Sequence, residues 1–118
     1  MRKVLVLMRK APYGTFYTFE GLQTMLVMGA YEIEIGVAFL DDGVYAIVKG
    51  QDPSLLDIKP LGRTFPALPD FNVEKFYVCR ESLAERGLSG EDLVIAPEIL
   101  DRVAMGQLIA EQDAVLPF

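Results

Sequence analysis

Short apolar runs alternate with helix-patterned stretches along this chain, and that alternation restricts the fold more than any other feature. The first run, Lys3–Met8 (KVLVLM), is apolar from its second residue onward. A strand with one solvated face would alternate apolar and polar residues, so a continuous run predicts a strand buried on both faces. Glu32–Leu40 (EIEIGVAFL) predicts a second strand that alternates at first and is then wholly apolar, as expected of an end that enters a core. Val73–Cys79 predicts a third strand. Leu93–Ala96 predicts a short fourth, ended by Pro97, and Ala114–Phe118 a terminal fifth. Strands of this kind separated by helices form parallel sheets, because parallel neighbours need long crossover connections that place helices on the sheet faces. The expected fold class is therefore α/β, with a parallel sheet covered on both sides.

The stretches between the runs carry helix signals. Thr15 is a suitable N-cap for a helix from Phe16 to Gly29, in which Phe19, Leu22, Met25, Leu26 and Gly29 fall at helical spacing. Asp41-Asp42-Gly43 marks a turn. Val44–Lys49 reads as a short helix stopped by Gly50, although Val44, Tyr45, Ile47 and Val48 also favour strands. Gln51–Pro60 reads as a loop with one helical turn around Ser54–Leu56. Pro66 and Pro69 make Arg63–Phe71 short or irregular. Glu81–Arg86 is a helix stopped by Gly87. Asp101 caps a final helix reaching Gln112, with Val103, Leu108 and Ile109 as its inward side. With 118 residues and no repeat, linker or low-complexity segment, residues 1–118 are expected to form a single domain.

Composition removes several function classes. The formal net charge of −6 argues against a polyphosphate-binding surface, so no direct nucleic-acid partner is expected. Hydrophobic residues make up 52% of the chain, yet no run approaches the roughly 18 apolar residues of a membrane span. The amino terminus leads directly into a strand without a signal-peptide pattern, and a cytoplasmic location is expected. There is no histidine, which removes the usual proton-relay and metal-ligand partner. One cysteine excludes an internal disulfide framework and a multi-cysteine metal site. Neither G-x-G-x-x-G nor G-x-x-x-x-G-K-[ST] occurs, and no cofactor is expected. The absence of tryptophan and the 24% of charged residues fit a surface partly hidden in a partner.

In an open parallel sheet, ligands collect beyond the carboxyl ends of the strands. Four loops are expected there: Arg9–Gly14, Asp41–Gly43, Cys79–Glu81 and Pro97–Glu98. Cys79 is the leading candidate for any covalent chemistry. It lies at the junction of a strand and a helix, where the positive end of the helix dipole favours a thiolate, and Arg80 acts in the same sense. The competing reading is a small buried core residue, which is what most free cysteines are. Arg9, Lys10 and Gly14 form a candidate anion-binding loop, against a solvated loop as the alternative. Asp41 and Asp42 could serve acid–base work or hold magnesium, but Asp-Asp-Gly is also ordinary turn chemistry. Tyr13, Phe16, Tyr17 and Phe19 cluster at the start of the first helix, as core, interface or ligand contacts. The candidate binding residues are thus Arg9, Lys10, Tyr13, Gly14, Asp42 and Arg80.

Several stretches taken in order carry a resemblance. They are Ala11-Pro-Tyr-Gly-Thr15, Glu20-Gly-Leu22, Asp42-Gly-Val-Tyr45, Gly50-Gln51, Cys79-Arg-Glu-Ser-Leu-Ala-Glu-Arg-Gly-Leu88 and Asp113-Ala-Val-Leu-Pro-Phe118. The chain resembles the DsrE/DsrF-like family nearly end to end, and within it the DsrF and TusC type of sulfur-relay subunit. Pro66 and Pro69 depart from the pattern, falling where the family carries a regular helix.

The resemblance implies a three-layer α/β/α fold with a mostly parallel five-stranded sheet. It also implies self-association or assembly with related DsrE- and DsrH-type subunits, commonly as hexamers, together with sulfur donor and acceptor proteins. In the DsrE and TusD type of subunit, the cysteine matching Cys79 carries sulfur as a persulfide; in the DsrF and TusC type the subunit acts as a scaffold. The implied function is intracellular sulfur relay, for tRNA thiolation or sulfur oxidation. The alternatives are a non-catalytic assembly subunit and a small-anion-binding module. A relay needs a nucleophilic thiolate, an accessible sulfur and a docking surface, and no histidine base.

Overall fold

The computed structural model describes residues 3–11, 17–31, 33–49 and 65–118. Five strands, β1 (Lys3–Met8), β2 (Glu34–Phe39), β3 (Lys75–Cys79), β4 (Glu98–Leu100) and β5 (Ala114–Pro117), form one sheet in the order β4-β3-β2-β1-β5. Every neighbouring pair is parallel. The helices are α1 (Tyr17–Gly29), α2 (Arg80–Glu85) and α3 (Arg102–Ala110), with 3-10 segments at Asp41–Ile47, Phe65–Phe71 and Gly90–Asp92. The apolar β1 lies inside the sheet, pairing with β2 from Lys3↔Glu34 to Met8↔Phe39 and with β5 from Val4↔Ala114 to Leu7↔Pro117. The edge strands are the short ones, and β5 ends in Pro117, which cannot extend the ladder.

Strand alternation divides the core into two unequal halves. On one face Val6, Met8, Val37, Phe39 and Val78 pack with α1 through Leu22 and Met25, with the 3-10 segments through Val44, Phe65 and Leu68, and with α2 through Leu83. Phe39 and Phe65 meet edge to face, ring centres 5.4 Å apart. On the other face Leu5, Leu7, Ala38 and Cys79 lie under Met105 of α3. With helices on both sides of the sheet, the fold is the expected three-layer α/β/α arrangement.

The differences from expectation are local. The fourth strand follows Pro97 instead of preceding it. Proline has no N–H to give a ladder but biases the residue before it towards extended backbone, so it suits the entry to an edge strand. Leu93, expected inside that strand, instead makes an isolated antiparallel bridge with Val48. The Asp-Asp-Gly turn and the helix expected after it are one continuous 3-10 segment. The Pro-containing Phe65–Phe71 is a second such segment, while Arg63, the Gln51–Pro60 loop and the Thr15 cap lie outside the described residues. Val103, expected to face inward, is 71% exposed, and Met105 is buried instead. Met105, Leu108 and Ile109 lie at i, i+3 and i+4 on one helix face, whereas Val103 falls about 200° round from Met105 at 3.6 residues per turn.

At the amino edge of the sheet a cavity of about 90 Å³ is lined by Lys3, Glu34, Lys75, Tyr77 and Glu111 among others. Lys75 Nζ donates to Glu34 Oε1, an ion pair between neighbouring strands. The hydrogen bond from Lys75, and then its charge, hold the Glu34 carboxyl below the usual carboxylate range. The same bond is the main cause that raises the Lys75 ammonium above its usual value. The Glu34 contribution to stability is present above the ordinary carboxylate value of about 4.3 and is lost as pH falls through the lowered folded value. The Lys75 contribution is present below the ordinary lysine value and is lost as pH rises through the raised one. Solvent screens this exposed pair, so the effect on stability is small. A carboxyl-carbon NMR titration is expected to place the Glu34 midpoint below that of ordinary glutamates, and Lys75→Met to return it. An unchanged midpoint in the variant would show that the pair does not form in solution.

Candidate functional site at the carboxyl edge of the sheet

The carboxyl ends of β1, β2, β3 and β4 deliver Arg9, Leu40–Asp41, Cys79–Arg80 and Asp101 to one edge. Pro97–Glu98, expected there, lies at the opposite end of β4 because the strand begins at Glu98. Cys79 is the last residue of β3 and the N-cap of α2, with extended backbone (φ −77°, ψ 122°) and no side-chain cap hydrogen bond. Its side chain turns into the core, leaving the residue only 5% exposed among Leu5, Leu7, Ala38 and Met105. A thiol so placed packs as a small apolar group and presents little surface to a reagent.

The charged groups of the edge pair with one another. Arg9 Nε lies 3.4 Å from Asp41 Oδ2, and both side chains are about half exposed. Arg86 donates to Asp42 Oδ1 from Nε at 3.2 Å and from Nη2 at 3.0 Å, and from Nη1 to the Ser82 carbonyl at 3.1 Å. Asp41 adopts a left-handed backbone (φ 51°), and its N–H donates to the buried Ser82 Oγ at 2.9 Å. The two aspartates thus face separate guanidinium groups, which does not suit a shared magnesium ion. Among the described residues no group of three or more metal-ligating side chains converges. Arg80 and Lys10 are exposed. Tyr13, Gly14 and Phe16 lie outside the described residues.

A second set of contacts joins α2 to α3. Glu81 Oε2 accepts the Arg102 N–H at 2.9 Å, and Asp101 Oδ1 accepts the Ala104 N–H at 2.8 Å. Two carboxylates therefore meet the otherwise unpaired N–H groups of the first turn of α3. Glu85 pairs with Arg102 at 3.1 Å. Ser82, Arg86, Glu81 and Met105 were not singled out as site residues by sequence reasoning. The available signal was the spacing of Ser82 and Arg86, four residues apart on one face of a short helix.

The fold and edge define a parallel α/β protein with a cysteine at the strand–helix junction of β3 and α2. The DsrE/DsrF-like family profile matches residues 2–118, and the chain belongs to that family. It is 37% identical to "Intracellular sulfur oxidation protein DsrF" of Allochromatium vinosum, the match covering 100% of this chain and 97% of that protein. It is also 37% identical to "Protein TusC homolog" of Pseudomonas aeruginosa, over 98% of this chain and 97% of the other. Among solved structures, the ychN protein from E. coli superposes with a TM-score of 0.84 at 26% identity over the whole of both chains. A protein of Methanobacterium thermoautotrophicum, MTH1491, shares the fold with a TM-score of 0.76 at 15% identity.

Proposed function

We propose that this chain is a subunit of an intracellular sulfur relay and that it helps pass persulfide sulfur between proteins as part of an assembly. The observation that carries the reading is the end-to-end likeness to proteins named DsrF and TusC homolog. Two structural features support the assembly role. Cys79 is buried, which favours a scaffold over a free-standing carrier. Tyr17, Phe19, Val27 and Tyr31 of α1 and its end, together with Phe71, are large apolar side chains exposed to solvent, surface that a neighbouring subunit would cover. The partners are further copies or related DsrE- and DsrH-type subunits, in a hexamer, with sulfur donor and acceptor proteins beyond them. The compartment is the cytoplasm; among the described residues no helix is long and apolar enough to cross a membrane. Residues 1–118 act as one domain, and tRNA thiolation and sulfur oxidation are the two processes such a relay serves.

A second reading, with Cys79 as the carrier and Arg9, Lys10, Asp42 and Arg80 as its binding surroundings, draws support from its place at the carboxyl edge. In that reading the Cys79 thiolate attacks the outer sulfur of a donor persulfide. The donor S–S bond breaks, the donor thiolate leaves, and the sulfur remains on Cys79 without any outside oxidant. Intact mass after exposure to a cysteine desulfurase and cysteine separates the two. The isolated chain is expected to gain no sulfur and to alkylate slowly at neutral pH, while a relay reconstituted with its partner subunits loses transfer when this chain is left out. Rapid gain of one sulfur atom by the isolated chain, reversed by reductant and absent in Cys79→Ser, would establish the carrier instead.

A further inference from the structure

The two halves of the core differ in how much holds them. Among the described residues, sixteen buried side chains form the cluster beneath α1, α2 and the 3-10 segments, against five in the cluster beneath α3, so α3 sits on the smaller half of the core. Among the described residues α3 is the only helix contributing to the cluster that encloses Cys79. Met105 is its one buried residue, with Leu108 and Ile109 partly buried beside it, and Val103 faces solvent. Its first turn is held by polar contacts: the Asp101 cap, the Glu81 carboxylate on the Arg102 N–H, and the exposed Glu85–Arg102 pair. Among the described residues the buried Glu81 Oε1 has no hydrogen-bond partner, an arrangement that offsets part of what Oε2 contributes. Gly106, exposed in the middle of α3, further weakens the helix, and a Cβ added there would meet nothing within 4 Å.

We propose that α3 is a cover over Cys79, opening locally while the rest of the sheet stays folded, and that this opening sets how fast any thiol reagent or sulfur donor reaches Cys79. Elements with few buried apolar contacts open at lower free energy than the core around them. The property belongs to the chain itself and depends on neither reading of Cys79 above; it states the condition under which a carrier could work.

The test is the alkylation rate of Cys79 by iodoacetamide in the full chain, taken at the high-pH plateau where thiolate formation no longer limits it. Gly106→Ala strengthens α3 without touching Cys79, and is expected to slow labelling about five-fold. Asp101→Ala removes the cap and is expected to speed it about five-fold. Leu22→Ala, in the other half of the core, serves as a control: it lowers global stability and is expected to leave the rate unchanged as long as the protein stays folded. Native-state hydrogen exchange is expected to show α3 amides exchanging at least about ten-fold faster than those of β1 and β2. The proposal is overturned if Gly106→Ala leaves the rate unchanged, if Leu22→Ala speeds labelling as much as Asp101→Ala, or if α3 is protected as well as β1. None of these readings involves sulfur transfer, so failure of the cover and failure of the relay function are separate results.

Discussion

Gly43→Ala is expected to leave the protein unfolded or close to it, at a cost of about 4 kcal/mol or more. A Cβ at this position would lie 1.8 Å from the Met8 carbonyl oxygen, 2.4 Å from its carbon and 2.9 Å from the Arg9 nitrogen. All three are backbone atoms, so no side chain can swing aside. Met8 ends β1, which is held between β2 and β5. Its carbonyl accepts the Leu40 N–H at 3.1 Å, and Arg9 N donates to the Phe118 carbonyl at 2.8 Å. Making room for one methyl group would therefore break hydrogen bonds that close the carboxyl edge. Against a total stability of about 5–15 kcal/mol, that loss decides whether the chain folds. Urea denaturation measures it, with Gly106→Ala as the contrasting glycine, expected to stabilise by up to about 1 kcal/mol. An unchanged midpoint in Gly43→Ala would show that the Asp41–Ile47 segment stands further from β1 than these distances require.

Phe65→Ala is expected to cost about 3–5 kcal/mol, the range for removing a buried aromatic side chain. Phe65 is fully buried and meets Phe39 edge to face, at the point where the Phe65–Phe71 segment joins the larger core. That segment contains Pro69 and is a 3-10 helix, so Phe65 and Leu68 do most of its anchoring. The loss is therefore expected to loosen the whole segment, including Phe71, whose carbonyl approaches Gly29 at the end of α1. Thermal melts of Phe65→Leu, Phe39→Leu and the double variant would isolate the ring–ring contribution, expected at about 0.5–1.5 kcal/mol. Additive losses would show that the rings merely fill space.

The strands with continuous apolar runs were legible to within two residues at each end. β1 has the expected bounds, and β3 ends at Cys79 as expected. Burial on both faces leaves a signal at every residue, which an edge strand lacks. β4 was misplaced for that reason: Glu98-Ile99-Leu100 has two exposed residues, and nothing in three residues distinguishes an edge strand from a loop. The helix caps were read correctly where the chemistry is local, as with Asp101 and with Gly87 in the left-handed region after α2. Of the residues expected on the inward face of α3, Leu108 and Ile109 pack against the sheet and Val103 does not. Val103 and Met105 are both apolar, and the choice between them depends on where the sheet lies.

The carboxyl-edge site divides the same way. Its location followed from topology, and Cys79 and Arg9 do arrive there, together with Asp41 and Asp42. Their relations did not follow. Arg9 chooses Asp41, Arg86 chooses Asp42, and Ser82 accepts the Asp41 N–H across 41 residues of chain. Pairings at that separation leave no trace in local spacing.

The sequence by itself determined a parallel α/β fold, through the hydrophobic runs and the stops between them, because burial and backbone preference act on neighbouring residues. It also determined the family, through short stretches matched in order along the whole chain. Only the tertiary structure decided that the Cys79 side chain turns inward under α3 rather than outward at the edge. A residue at the end of a strand can face either side of the sheet, and which side is covered depends on packing between elements far apart in the chain.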